Sequence, residues 1–94
     1  MALYLVSYDI TEKDAFEYAG LWALLREMGA VKILYSEWVI AGDTGEATKI
    51  YNKIAPKTQM KDRLLVQELT KDARWDKLLI SAELFSELIA CARG

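Results

Sequence analysis

The chain contains no histidine and only one cysteine, Cys91, among its 94 residues. A single cysteine forms no internal disulfide and no thiolate cage for zinc. Without histidine the Ser/His and Cys/His nucleophile systems are also excluded, so we interpret Cys91 as an inert, buried thiol. The chemistry that remains is that of carboxylates with a metal ion, or of Lys, Tyr and Ser.

The sequence also has one proline, five glycines and no long apolar run. A membrane-spanning helix needs about 18 or more apolar residues, and a signal peptide needs a basic leader before its apolar stretch. We therefore expect no membrane partner, no signal peptide and a cytoplasmic location. With 53% hydrophobic and 28% charged residues the composition is that of a folded protein, and 1–94 is predicted to form one domain.

Three segments are rich in β-branched and aromatic residues, which predicts strands: 3–10, 31–41 and 63–70. Ser36 and Glu37 interrupt the apolar run of the middle segment. We therefore expect two short strands there, joined by a kink, and four strands in total.

Helical spacing of apolar residues predicts a first helix over about 13–28, capped by Thr11 and ended by Gly29. A second helix is expected to be capped by Asp43 or Thr44 and to end before Pro56, because proline disfavours a helical conformation in the preceding residue.

Ser81 is the expected N-cap of a third, C-terminal helix. The segment 75–80, just before it, fits either a fifth strand or an irregular lead into that helix.

This order of elements predicts an α+β fold, namely a ferredoxin-like βαββαβ sandwich with an additional C-terminal helix. Two helices on one face of a four-stranded sheet leave the other face uncovered. Four apolar side chains are expected to cover that face in an isologous homodimer: Tyr4, Val6, Tyr8 and Trp38.

Asp9 interrupts the first apolar strand near its C-terminal end. A carboxylate buried there needs a cation, a hydrogen-bond donor or water. One interpretation is a turn or cap residue that bonds Thr11 locally. The other is a ligand of Mg²⁺, for which two Asp9 carboxylates across a twofold axis would suffice.

Two strings carry a resemblance to a known family: YLVSYDI over 4–10 and KILYSEW over 32–38. Both resemble the small CRISPR-associated ferredoxin-like proteins that partner the spacer integrase, whose members were described as metal-dependent nucleases. Over essentially its full length the chain looks like the SinR-family branch of that superfamily.

The resemblance implies that Asp9 and its mate from a second subunit hold a divalent metal, with Ser36 and Trp38 as supporting positions. Glu37 departs from the family pattern, because the residue after the serine is usually apolar. Leu34 also departs from it, because the CRISPR family has a polar residue there.

Positive charge is concentrated between residues 49 and 63, where five basic side chains and one acidic one give a net +4 within a chain of net charge −2. A basic segment is a candidate for weak phosphate contact. The alternative is a solvated helix face followed by a solubilising loop. The candidate nucleic-acid-binding residues are Lys49, Lys53, Lys57, Lys61 and Arg63.

These observations lead to one expected function and two alternatives. The expected function is Mg²⁺-dependent hydrolysis of RNA or DNA phosphodiester bonds, with Asp9 as the catalytic metal ligand. The first alternative is a non-catalytic dimeric module that binds a protein or nucleic-acid partner. The second is a regulatory domain for a small ligand.

Overall fold

The chain is organised around a four-stranded antiparallel sheet. The structure, a computed structural model, describes residues 1–10, 15–59 and 61–94. Its strands in chain order are β1 (Ala2–Asp9), β2 (Val31–Leu34), β3 (Glu37–Gly42) and β4 (Arg63–Leu69). They lie in the order β2-β3-β1-β4, so β1 and β3 are central while β2 and β4 form the edges.

Three α-helices accompany the sheet in the described residues: α1 (Ala15–Glu27), α2 (Ala47–Ile54) and α3 (Ala82–Ile89). A short 3₁₀ turn, Ala55–Lys57, contains Pro56, so α2 ends before the proline as predicted. The predicted α+β class is confirmed. Within the part of the chain described, no helix is both long enough and apolar enough to cross a bilayer.

One face of the sheet packs against α1 and α2, and we call it the helix face. Its fully or nearly buried residues come from β1 and β3 on one side and from the two helices on the other: Tyr4, Val6, Tyr8, Trp38, Ile40, Tyr18, Leu21, Leu25, Ile50 and Ile54.

This corrects the expectation that Tyr4, Val6, Tyr8 and Trp38 lie on an uncovered face. Side chains of a strand alternate between the two faces, and these four fall on the side that the helices cover. They are core residues, so they provide no apolar surface for a dimer.

The opposite face is partly covered by the C-terminal segment. Leu3, Ile33 and Val39 from the strands form a second core with Phe85 of α3 and Ala92. The ring of Trp75 packs edge-on against Phe85, with ring centroids 4.6 Å apart. This segment therefore closes half of a face that was expected to be open.

The stretch 75–80 is irregular, which decides between the two predicted alternatives. It follows the edge of the sheet, where the backbone N–H of Leu79 donates to the carbonyl of Ile33 at 2.9 Å. This bond attaches the segment before α3 to β2, but the segment does not form a fifth strand.

Two of the predicted helix boundaries are confirmed by their geometry. Gly29 ends α1 with a φ of +84°, a conformation that L side chains rarely adopt. The Ser81 hydroxyl accepts a hydrogen bond from the Leu84 backbone N–H at 3.1 Å and caps α3. The cap predicted for the first helix, Thr11, lies outside the described residues.

The start of α2 differs from the prediction, because neither Asp43 nor Thr44 caps the helix with its side chain. Instead the Tyr4 hydroxyl accepts the backbone N–H of Glu46 at 2.9 Å and donates to the carbonyl of Asp43 at 2.5 Å. A side chain from the central strand thus replaces a local cap, and sequence spacing contains no sign of such a distant partner.

The kink predicted in the middle strand segment is confirmed as the turn between β2 and β3, at Tyr35 and Ser36. The pairing register shifts between Lys32 and Leu34, just before the turn. The turn is fixed to the central strand, because the Ser36 carbonyl accepts the backbone N–H of Tyr8 at 3.1 Å.

Candidate functional site

Part of the second sheet face lies outside the core formed with α3, and we call it the open half. In the register, Ser7 pairs with Glu37 and Leu65, and Asp9 pairs with Arg63. Residues directly opposite each other in antiparallel strands point to the same face, so these five side chains form one surface. Each of them is exposed or half-buried, and Leu65 is 52% exposed.

Asp9 lies at the C-terminal end of β1, as the sequence predicted, but its carboxylate is not buried. Its side chain is 71% exposed, and Oδ2 lies 3.6 Å from Nη1 of Arg63, which is itself 81% exposed. An ion pair so exposed to water contributes little to stability. The carboxylate of Asp9 is hydrated, so it does not need a cation or donor to offset a cost of burial. It is therefore available to a ligand from solvent.

A shallow depression of about 160 Å³ lies beside this pair, between the ends of β1 and β4. Ser7, Asp9 and Arg63 give it a hydroxyl, a carboxylate and a guanidinium, while Leu65 lies at its apolar side. Its polar groups match a phosphate with a counter-cation better than an apolar molecule.

Sequence reasoning missed two candidates of the open half, Ser7 and Glu37. Glu37 was interpreted as a break in an apolar run and as a departure from a family pattern, yet it shares the face of Asp9 and is its diagonal neighbour across β1 and β3. Diagonal neighbours in an antiparallel pair lie roughly 7–8 Å apart. The alternation of side chains along the two strands was the signal that could have identified it.

The described part of the chain contains no complete metal cage. Among residues 1–10, 15–59 and 61–94, no three acidic or cysteine side chains are grouped closely enough to hold an ion. The open half offers carboxylates from Asp9 and Glu37 and a hydroxyl from Ser7. Because Mg²⁺ accepts oxygen ligands and keeps several waters, this donor set fits the ion only if water, phosphate or a second chain completes it.

The two supporting positions behave differently. Ser36 is exposed in the turn beside Tyr8 and thus close to the end of β1. Trp38 is 2% exposed and lies on the helix face, where its indole N–H donates to the Tyr8 hydroxyl at 3.0 Å. Trp38 therefore positions the central strand and does not reach the open half.

The five residues of the predicted basic segment do not share one depression. Lys49 and Lys53 lie along one exposed face of α2 and line a groove of about 230 Å³ whose apolar lining includes Met28, Ile40 and Ile50. Arg63 lines the depression beside Asp9. Lys57 and Lys61 are exposed and line neither of these two sites.

Acidic side chains partly neutralise this segment. Lys49 lies 3.3 Å from a carboxylate oxygen of Glu46. The backbone N–H of Asp43, which donates to the same carboxylate at 2.9 Å, and the ammonium of Lys49 hold the pKa of Glu46 below its ordinary value. Glu46 is thus ionised at neutral pH and competes with an incoming phosphate for Lys49.

Comparison with known proteins assigns no family to the chain. No protein-family model matches it, and no curated protein is significantly similar to it in sequence. The geometry of the open half therefore carries the functional argument.

Proposed function

We propose that this chain is a ferredoxin-like protein of the CRISPR-associated nuclease-like superfamily, in its SinR-like branch, and that it hydrolyses phosphodiester bonds of RNA or DNA with Mg²⁺. The observation that carries the proposal is the exposed Asp9 carboxylate at the end of a central strand, beside Arg63 and on the same face as Glu37. This arrangement combines acidic oxygens for a cation with a guanidinium for a phosphate.

The strand order supports the fold part of the proposal. β3 lies between β1 and β2, and β1 lies between β3 and β4, with every neighbouring pair antiparallel. That interleaving is what two split βαβ units produce in one sheet. The helix α3 is then an addition after the last strand.

Each polar residue of the open half has a distinct role in this proposal. Asp9 and Glu37 would hold the divalent ion through carboxylate oxygens, and the Ser7 hydroxyl would hydrogen-bond the attacking water. Arg63 would exchange its contact with Asp9 for the phosphate, to which a guanidinium can donate two parallel hydrogen bonds. Mg²⁺, when bound, would supply Lewis acidity and lower the pKa of a water molecule.

A homodimer completes the donor set. A second copy that packs on the open half across a twofold axis brings a second Asp9 toward the first, as the resemblance implies. Leu65, which is 52% exposed on the edge strand β4, supplies apolar contact for such an interface. Light scattering should give a mass of twice the 10.7 kDa chain.

The decisive experiment compares Asp9→Asn with Asp72→Asn for Mg²⁺-dependent cleavage of labelled single-stranded RNA. The amide keeps the shape of the side chain but loses the charge that retains the ion, so cleavage is expected to be lost in Asp9→Asn. Asp72 is an exposed aspartate of the irregular segment after β4 and serves as the matched control, with activity unchanged. Glu37→Gln is expected to require more Mg²⁺ for half-maximal rate.

Equal cleavage by both aspartate variants would show that the activity belongs to a contaminating nuclease. A parent protein that cleaves no strand with Mg²⁺ or Mn²⁺ would refute the hydrolytic proposal. In that case the non-catalytic binding module is the better assignment, because the exposed carboxylate and guanidinium beside the exposed Leu65 can contact a partner without any chemical step.

A further inference from the structure

An exposed aromatic ring lies at the turn between β2 and β3. Tyr35 is 82% exposed, more than any other large hydrophobic side chain in the described residues. The ammonium of Lys32 lies 6.0 Å from the centroid of its ring, within cation–π range. The packing of the domain does not require a ring in this position, because Tyr35 contributes to neither core.

Lys32 connects this ring to a second aromatic side chain. The same ammonium lies 5.9 Å from the ring of Trp22 on α1. The indole N–H of Trp22 donates to the buried Tyr8 hydroxyl at 3.1 Å, which holds the indole in place. We call Trp22, Lys32 and Tyr35 the aromatic–cation row.

A further cation belongs to the same region. The guanidinium of Arg26 lies 5.6 Å from the ring of Trp38, which pairs with Lys32 across β2 and β3. Both basic groups are therefore gathered around Trp38. Local positive charge beside one exposed aromatic ring, that of Tyr35, is complementary to a polyanion that carries flat bases.

The row also lies at the same end of the sheet as Asp9. Ser36, the neighbour of Tyr35, accepts a backbone hydrogen bond from Tyr8, the neighbour of Asp9, at 3.1 Å. Lys32 pairs with Trp38 and therefore shares the helix face, so a nucleic-acid strand bound to the row would reach the open half by passing around the turn between β2 and β3.

We propose that the aromatic–cation row binds single-stranded nucleic acid, with one base stacked on Tyr35 and the flanking phosphates contacted by Lys32 and Arg26. The inference deepens the proposed function, on which it rests for the identity of the ligand, and it names the surface that selects a single strand. In a duplex the base faces are stacked on each other, so the ring of Tyr35 discriminates against paired substrate.

The test measures binding by fluorescence anisotropy in EDTA, where no cleavage occurs, with a labelled single-stranded RNA of about 12 nucleotides. Tyr35→Ala should weaken binding roughly 5- to 100-fold, which is the usual effect of losing one stacked base. Tyr35→Phe keeps the aromatic face and should bind like the parent. Tyr51→Ala is the matched control, because Tyr51 is also exposed, at 42%, but lies on α2.

Lys32→Gln tests the phosphate contact separately from stacking. It should reduce the slope of log affinity against log salt by about 0.7, the value for one contact to a single strand. A duplex of the same sequence should bind more weakly than the single strand, and Tyr35→Ala should reduce this difference.

Equal affinity of Tyr35→Ala and Tyr51→Ala for the single strand would overturn the inference. It would also be overturned if the parent bound no oligonucleotide at low salt while an acidic peptide bound at Tyr35, because the surface would then serve a protein partner. Binding that depends on Tyr35 in a protein that cleaves nothing would refute only the catalytic proposal. Cleavage that depends on Asp9 without any dependence on Tyr35 would refute only the inference.

Discussion

The two faces of the sheet are formed by the same strands, yet they are buried to different extents. On the helix face, Tyr4, Val6 and Tyr8 of β1 are at most 3% exposed. On the other face, Leu3 is fully buried at one end of β1, whereas the Asp9 side chain is 71% exposed at the other. The β1 side chains on the helix face are therefore all buried. Those on the other face are buried at the start of the strand and exposed to solvent at its end.

The two faces have different roles: the buried helix face stabilises the fold, and the exposed open half carries the candidate site. α1 and α2 bury the helix-face residues of the central strands, so a polar side chain there must find a partner, as the Tyr8 hydroxyl does with Trp22 and Trp38. α3 closes only the half of the second face nearest Leu3. The open half keeps polar groups in contact with water, where they are available to a ligand.

The largest expected effect comes from matched leucines on the two faces. Leu25 on the helix face is fully buried, so Leu25→Ala should lower the free energy of unfolding by about 2–5 kcal/mol. Leu65 on the open half is 52% exposed in a single chain, so Leu65→Ala should change the free energy of unfolding of the monomer by no more than about 0.5 kcal/mol. Urea denaturation of the two variants at low protein concentration provides the comparison. At high protein concentration the proposed homodimer covers Leu65, so a larger loss in Leu65→Ala is expected there, and its absence would contradict the dimer.

The second prediction concerns the hydroxyl at the centre of the helix face. Tyr8→Phe removes the acceptor of two indole N–H groups, one of them buried. A buried donor without an acceptor costs about 1–3 kcal/mol, and the unfolding free energy should fall by that amount.

Tyr35→Phe is the control for the loss of a tyrosine hydroxyl, because Tyr35 is 82% exposed and its variant should unfold like the parent. Tryptophan emission should shift in Tyr8→Phe only. Equal stability of the two variants would indicate that the indoles find other acceptors.

The smallest expected effect concerns the ion pair that connects Arg93 of the C-terminal segment to Glu68 of β4. Arg93 makes two contacts of 2.7 Å with the Glu68 carboxylate, and this hydrogen bonding lowers the pKa of Glu68 from its ordinary value near 4.5. A carboxyl with a depressed pKa in the folded state stabilises the fold above pH 4.5 and loses this contribution as the pH falls through the depressed value.

Arg93→Gln should therefore lower Tm slightly at pH 7, and the difference from the parent should disappear at acidic pH. Thermal melts of both proteins across this range measure it. A difference in Tm that stays constant with pH would assign the effect to packing of the Arg93 side chain instead of its charge.

The helices and strands could be predicted from the sequence because the interactions that form them join residues close together in the chain. The spacing of apolar residues, the left-handed tolerance of Gly29, the capping hydroxyl of Ser81 and the restriction before Pro56 all act within a few residues. The strand positions of Asp9 and Arg63 were predicted for the same reason, but their pairing across β1 and β4 was not.

The sequence by itself determined the α+β class, the four strands, the ends of α1 and α2, the cap of α3 and the place of Asp9 at a strand end. The tertiary structure alone decided which face of the sheet is covered by α1 and α2 and which is partly covered by α3, and thus which strand residues are buried. It turned Tyr4 into the cap of α2, placed Trp38 in the core and brought Glu37 and Arg63 to the face of Asp9. Such contacts join residues far apart in the chain, and their free energy depends on burial that exists only after the chain has folded.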